Sequence, residues 1–65
     1  MTFNQNIKLC EASPGERIFD FAKAIVEYRQ RVAVNVIGIF NDVYIYVDLE
    51  TTEQDVIRKY FEAIK

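Results

Sequence analysis

The residues of this chain that could do chemistry are few. Cys10 is the only thiol and the sequence contains no histidine, so a cysteine nucleophile would have no imidazole base beside it. A single cysteine cannot form an intramolecular disulfide, and the commonest metal ligand is missing. We therefore expect Cys10 to be structural, and we expect no catalytic residue, no metal site and no cofactor.

Two pairs of acidic residues could in principle bind a hard cation or transfer protons. Asp48 and Glu50 follow a predicted strand, whereas Glu53 and Asp55 lie in the first turn of a predicted helix. Turn hydrogen bonding explains the first pair, and the helix dipole favours acids at the second position. We expect both pairs to be structural, which also argues against an enzyme.

A β-hairpin over residues 32–49 is the most informative element. Its β-branched and aromatic residues are typical of strands, and Asn41 and Asp42 tolerate the positive φ of a tight two-residue turn. With those two residues as the loop, Phe40 opposes Val43, and the register of every other pair follows.

This hairpin is apolar on both faces. The face expected to lie in the core carries Val34, Val36, Phe40, Val43, Ile45, Val47 and Leu49, with Gly38 allowing close packing against it. The other face carries Ile37, Ile39, Tyr44 and Tyr46 near the turn, and Asn35 and Asp48 at its far end. Helices on one side cover one face only, so the other face is expected to need a second copy, a partner or a ligand. The alternative is that one helix covers each face, which would make the whole hairpin ordinary core.

The remaining elements complete a small α/β (α+β) fold. Alternation over residues 3–11 predicts a strand that buries Ile7 and Leu9. Ser13 and Glu16 form a capping-box pattern that begins a helix at about 14–30, and a threonine cap begins a second helix at about 52–64. The order β-α-β-β-α predicts a two-layer sandwich, with both helices on the core face of the hairpin.

Size and charge limit the functional classes. Sixty-five residues make a single domain close to the size at which a core needs reinforcement. With a disulfide and a metal site excluded, oligomerisation is the remaining way to reinforce such a small core. A net charge of −2 gives no field to attract nucleic acid or an anionic membrane. The N-terminus lacks a secretory signal, so we expect a cytoplasmic protein with no membrane partner.

From Ile37 to Phe61 the chain resembles a group of short bacteriophage-encoded accessory proteins. The likeness consists of a strand that ends in Phe-Asn, a tight turn, a return strand, and a threonine-rich cap before a terminal helix. It spans about 25 residues, and Asp42 stands where the pattern often has glycine. The resemblance implies a small interaction protein, because some such proteins bind and block host defence factors. It transfers no catalytic residue.

Three hypotheses follow for the second face. In the first, the chain is a non-catalytic homodimer that binds and occludes a host macromolecule, and its dimer interface consists of Ile37, Ile39, Tyr44 and Tyr46. In the second, it binds or sequesters a small ligand or nucleotide at the dimer seam, lined by Tyr44, Tyr46, Asn35 and Arg31. A third is a single-stranded nucleic-acid binder that stacks bases on the tyrosines, which the acidic charge disfavours.

Overall fold

Five elements follow one another in the predicted order. A computed structural model describes residues 7–65. The elements are β1 (Lys8–Glu11), α1 (Ile18–Val32), β2 (Val36–Phe40), β3 (Val43–Val47) and α2 (Glu53–Ala63). The α+β fold with a central hairpin is confirmed.

The three strands form one sheet in the order β1-β2-β3. β1 lies parallel to β2, with Lys8 beside Val36. β2 and β3 are antiparallel and Phe40 pairs with Val43, so the predicted register is confirmed. Asn41 and Asp42 have φ of 49° and 65°, which is the left-handed conformation that a type I′ turn requires of both loop residues.

Both helices pack on the same side of this sheet. The core between the two layers consists of Ile18, Phe21, Ala22, Ile25, Val36, Phe40, Ile45, Val47, Val56 and Tyr60. α1 crosses closely above Gly38, because a Cβ atom there would lie 2.9 Å from Cζ of Phe21 and would also overlap Ile25. The prediction that Gly38 permits close packing is confirmed.

The start of α1 differs from the prediction. Glu16 donates its backbone N–H to the Ser13 carbonyl at 3.0 Å, which closes a turn, and Gly15 has φ of 82°. Pro14 followed by a glycine at positive φ is the pattern of a type II turn. The Glu16 carboxylate does accept the Ser13 N–H at 2.9 Å, but this contact stabilises the turn, and α1 begins four residues later than predicted, at Ile18.

The hairpin is shorter than the predicted 32–49. Val32 belongs to α1, and Ala33 ends that helix in the left-handed conformation with φ of 60°. Paired strands therefore begin only at Val36. Leu49 lies in the turn after β3 and is exposed, so its placement in the core was wrong.

The first strand was predicted over residues 3–11. Its first part lies outside the described residues, and β1 as described begins at Lys8. Ile7 and Leu9 are exposed, which corrects the prediction that they are buried. The reason is register: Leu9 pairs with Ile37, so both side chains point to the side of the sheet away from the helices, whereas Cys10 points toward the core.

The second helix agrees with its capping signal. Thr52 Oγ1 accepts the Asp55 N–H at 3.1 Å while the Asp55 carboxylate accepts the Thr52 N–H at 3.0 Å, which is a complete capping box.

Neither helix of the described chain combines the length and the apolar character needed to cross a membrane.

Candidate interaction surface

The side of the sheet opposite the helices is apolar and exposed. We call it the open face, and it consists of Leu9, Ile37, Ile39, Tyr44 and Tyr46. Tyr44 is 68% exposed, Leu9 65% and Tyr46 44%. Sequence reasoning identified four of these five residues and assigned the fifth, Leu9, to the core. Because Leu9 alternates with Cys10, one of the two side chains faces the core and the other faces away from it. The pairing of β1 with β2 decides which of them is buried.

Strand geometry explains why this face is uncovered. Side chains alternate between the two sides of a strand, so the buried residues Val36 and Phe40 leave Ile37 and Ile39 pointing away from the helices. The five side chains expose an area of the order of 400 Å², within the range in which the largest apolar patch of a small protein is often functional.

A polar chain of hydrogen bonds borders the open face at one end. The Arg29 side chain donates through Nε to Asn35 Oδ1 at 3.1 Å, and Asn35 donates through Nδ2 to the Tyr46 hydroxyl. These contacts fix the Tyr46 ring at the end of the face. Asn35 was predicted to line a site together with Arg31, but the cation that contacts it is Arg29, and Arg31 is exposed on the last turn of α1. Sequence reasoning missed Arg29 as the partner of Asn35, because its spacing assigned it only to the surface of the first helix.

The free edge of β3 is partly protected. Lys59 of α2 donates through Nζ to the Tyr46 carbonyl at 3.2 Å, and the Thr51 hydroxyl accepts the Asp48 N–H at 3.0 Å. Groups bound in this way are not available for pairing with another strand. Contacts through the open face are thus favoured over contacts along this edge.

The open face has an acidic end next to the hairpin turn. Glu11 pairs with Ile39 next to the hairpin turn, and Asp42 lies in that turn, so this end is acidic. At the opposite end, Lys8 pairs with the buried Val36, so its side chain points to the helix side of the sheet, and Arg29 reaches Asn35 from α1.

Asp48 follows β3 at this opposite end. Its carboxylate accepts the Thr51 hydroxyl and the Glu50 N–H, both at 2.9 Å, and these contacts hold the pKa of Asp48 below its ordinary value. It therefore places an ionised carboxylate at this end, held by contacts within the turn after β3.

A polar pocket of about 300 Å³ lies beside the acidic end. Its walls are the loop between β1 and α1 and the hairpin turn, and its acidic side chains are Glu11, Glu16 and Asp42. Within residues 7–65 there is no group of three or more side chains placed to hold a metal ion. The pocket thus adds negative charge to this end without forming a cation site.

The side chains considered as candidates for catalysis include Cys10 and Asp55, and the contacts of both serve the fold. Burial raises the pKa of the Cys10 thiol above its usual value, and the charge of Glu16 adds to the shift. A protonated thiol is a poor nucleophile. Asp55 accepts the Thr52 N–H and an Arg58 hydrogen bond, which together lower its pKa, so its carboxylate serves the helix cap.

The helix layer has exposed apolar side chains of its own. Phe19 is 62% exposed at the start of α1, and Phe61 and Ile64 are about half exposed at the end of α2. α1 follows β1 and runs away from the end of the sheet at which the hairpin turn lies, whereas α2 follows β3 and runs toward that end. The start of α1 and the end of α2 therefore lie at the same end of the molecule.

Comparisons of the chain with protein-family models, with curated proteins and with solved structures find no match. The open face is therefore the feature of this chain that bears on its function.

Proposed function

We propose that this chain is a non-catalytic interaction protein that forms a homodimer through its open face and binds and occludes another macromolecule. The observation that carries the proposal is the exposure of Leu9, Tyr44 and Tyr46 on the side of the sheet opposite both helices. A small domain gains stability by burying such a surface against a second copy.

The chemistry of the remaining side chains supports a binding role. The chain has no histidine, and the Cys10 thiol is kept in its less reactive form by burial. The exposed side chains of Phe19, Phe61 and Ile64 on the helix layer remain free for a target when two copies meet through their open faces. The likeness to bacteriophage accessory proteins favours a host protein as that target.

Sedimentation over protein concentrations from about 1 µM to about 1 mM tests the dimer, because this range covers both moderately tight and weak dissociation constants. The change is Tyr44→Lys, which removes the most exposed ring of the open face and adds a charge. We expect the wild type to associate and the variant to remain monomeric.

The matched control is Phe19→Lys, which removes a similarly exposed ring from the helix layer. It should leave the dimer intact. A wild type that stays monomeric throughout the concentration range, or a Tyr44→Lys variant that is folded and dimeric, contradicts the proposal. Circular dichroism establishes that each variant is folded.

A further inference from the structure

We infer that Asn35 and Arg29 are positioning residues for the open face, and that they hold the Tyr46 ring in the orientation that meets the second copy. This inference rests on the proposed homodimer and names residues beside the contact that set its strength. It comes from a chain of side-chain hydrogen bonds that leads from α1 to the open face.

The chemistry of Arg29 fixes the direction of this chain. An arginine side chain has only donors, so the Asn35 amide must turn its oxygen toward Arg29 Nε, and these two atoms lie 3.1 Å apart. The amide NH2 group of Asn35 then faces Tyr46 and donates to its hydroxyl. Because the first bond has a charged donor, it is stronger than a neutral one and holds the amide in that orientation.

The main chain on both sides of the contact is held as well. The Tyr46 carbonyl accepts the Nζ of Lys59 from α2 at 3.2 Å, and Tyr46 pairs with Ile37 in the sheet. The Asn35 carbonyl accepts the Lys8 N–H at 3.1 Å. The Tyr46 ring therefore has a defined place in the free protein, although 44% of the residue is exposed.

A ring that is ordered before the contact forms should bind more tightly. Association immobilises side chains at an interface at a cost in free energy, and a side chain that is already held avoids most of that cost. In a two-fold dimer each copy contributes the same ring, so the effect enters the dissociation constant twice.

Asn35→Ala tests this role, because it removes the hydrogen bond and keeps both the ring and the hydroxyl of Tyr46. The main-chain bond from Lys8 to residue 35 is not affected. The dissociation constant should rise roughly fivefold to thirtyfold, the range expected when two more side chains must be ordered on association. The measurement is sedimentation equilibrium.

A double-mutant cycle connects the effect to Tyr46. Tyr46→Phe keeps the ring and removes the acceptor, so it should raise the dissociation constant by a similar factor. Without the hydroxyl, Asn35→Ala has no bond left to break, and the double variant should associate about as tightly as Tyr46→Phe alone. Two effects that simply multiply would show that Asn35 does not act through Tyr46.

Tyr60→Phe is the matched control. The Tyr60 hydroxyl also accepts a hydrogen bond from an asparagine side chain, Asn41 Nδ2 at 3.0 Å, but Tyr60 is buried on the helix side of the sheet. This variant should lower the free energy of unfolding and leave the dissociation constant within about twofold of the wild-type value. The difference separates a positioning role from a general loss of stability.

The outcomes also separate this inference from the dimer itself. If the wild type dimerises and the Asn35→Ala variant dimerises equally well, the positioning role is overturned and the homodimer stands. A wild type that stays monomeric overturns both. Circular dichroism establishes that each variant is folded, and Tyr46→Phe provides the same comparison if Asn35→Ala does not fold.

Discussion

At the scale of single residues, Gly38 shows how one side chain sets the distance between the layers. The ring of Phe21 and the end of Ile25 occupy the space that a Cβ atom at this position would need. The glycine is therefore required by packing, since no unusual backbone angle is involved.

We predict that Gly38→Ala destabilises the protein by about 1 to 3 kcal/mol, the usual effect of overpacking a core. Urea unfolding followed by circular dichroism measures it. Ile25→Val removes the terminal methyl group that the new Cβ would overlap. In the double variant Gly38→Ala/Ile25→Val the two losses should be less than additive, and full additivity would contradict this explanation.

At the scale of elements, the start of α2 depends on carboxylates that must stay ionised. The Thr52 N–H and the Arg58 side chain lower the pKa of Asp55, and the Thr51 hydroxyl and the Glu50 N–H lower that of Asp48. Both groups therefore bind protons less readily in the folded chain than in the unfolded chain.

The sign of the pH dependence follows from these lowered values. The stabilising contribution is complete above the unfolded pKa of about 3.9 and is lost as the pH falls through the folded pKa. We predict that the urea midpoint is nearly constant from about pH 7 to about pH 5 and then falls toward about pH 2.

The matched variant is Asp55→Asn, whose amide oxygen can still accept the Thr52 N–H but does not titrate. It should be less stable than the wild type near neutrality and should lose less stability on acidification. An acid dependence as steep as that of the wild type would show that Asp55 is not responsible.

At the scale of the whole molecule, the core is small because the apolar side chains on the open face are not buried in it. Within residues 7–65, the core consists of ten buried apolar residues on one side of the sheet. A chain of this size buries a modest fraction of its surface, so association should add substantially to its stability.

We predict that the melting temperature of the wild type rises with protein concentration, because a partner that binds only the folded state stabilises it by mass action. A concentration about one hundred times the dissociation constant should add about 2.7 kcal/mol, or several degrees. Differential scanning calorimetry measures this rise. Tyr44→Lys should melt at a temperature independent of concentration, and a wild type that does the same would contradict the prediction.

The hairpin register and the start of α2 were predictable, because contacts between residues close together in the sequence determine them. The Asn41–Asp42 turn fixed the register of β2 and β3, and the Thr52 cap fixed the start of α2. Ser13 was misinterpreted because a hydrogen bond between its N–H and the Glu16 carboxylate can occur both in a helix cap and in a turn. Gly15 at positive φ decides for the turn.

The sequence by itself determined the order of the elements, the hairpin register and the apolar character of both its faces, because turn chemistry and side-chain alternation act over a few residues. Only the tertiary structure decided the phase of β1, which brings Leu9 beside Ile37, and the contact of Arg29 with Asn35. Both depend on which segments lie beside each other in space. That choice is made by packing over the whole core, and local patterns do not contain it.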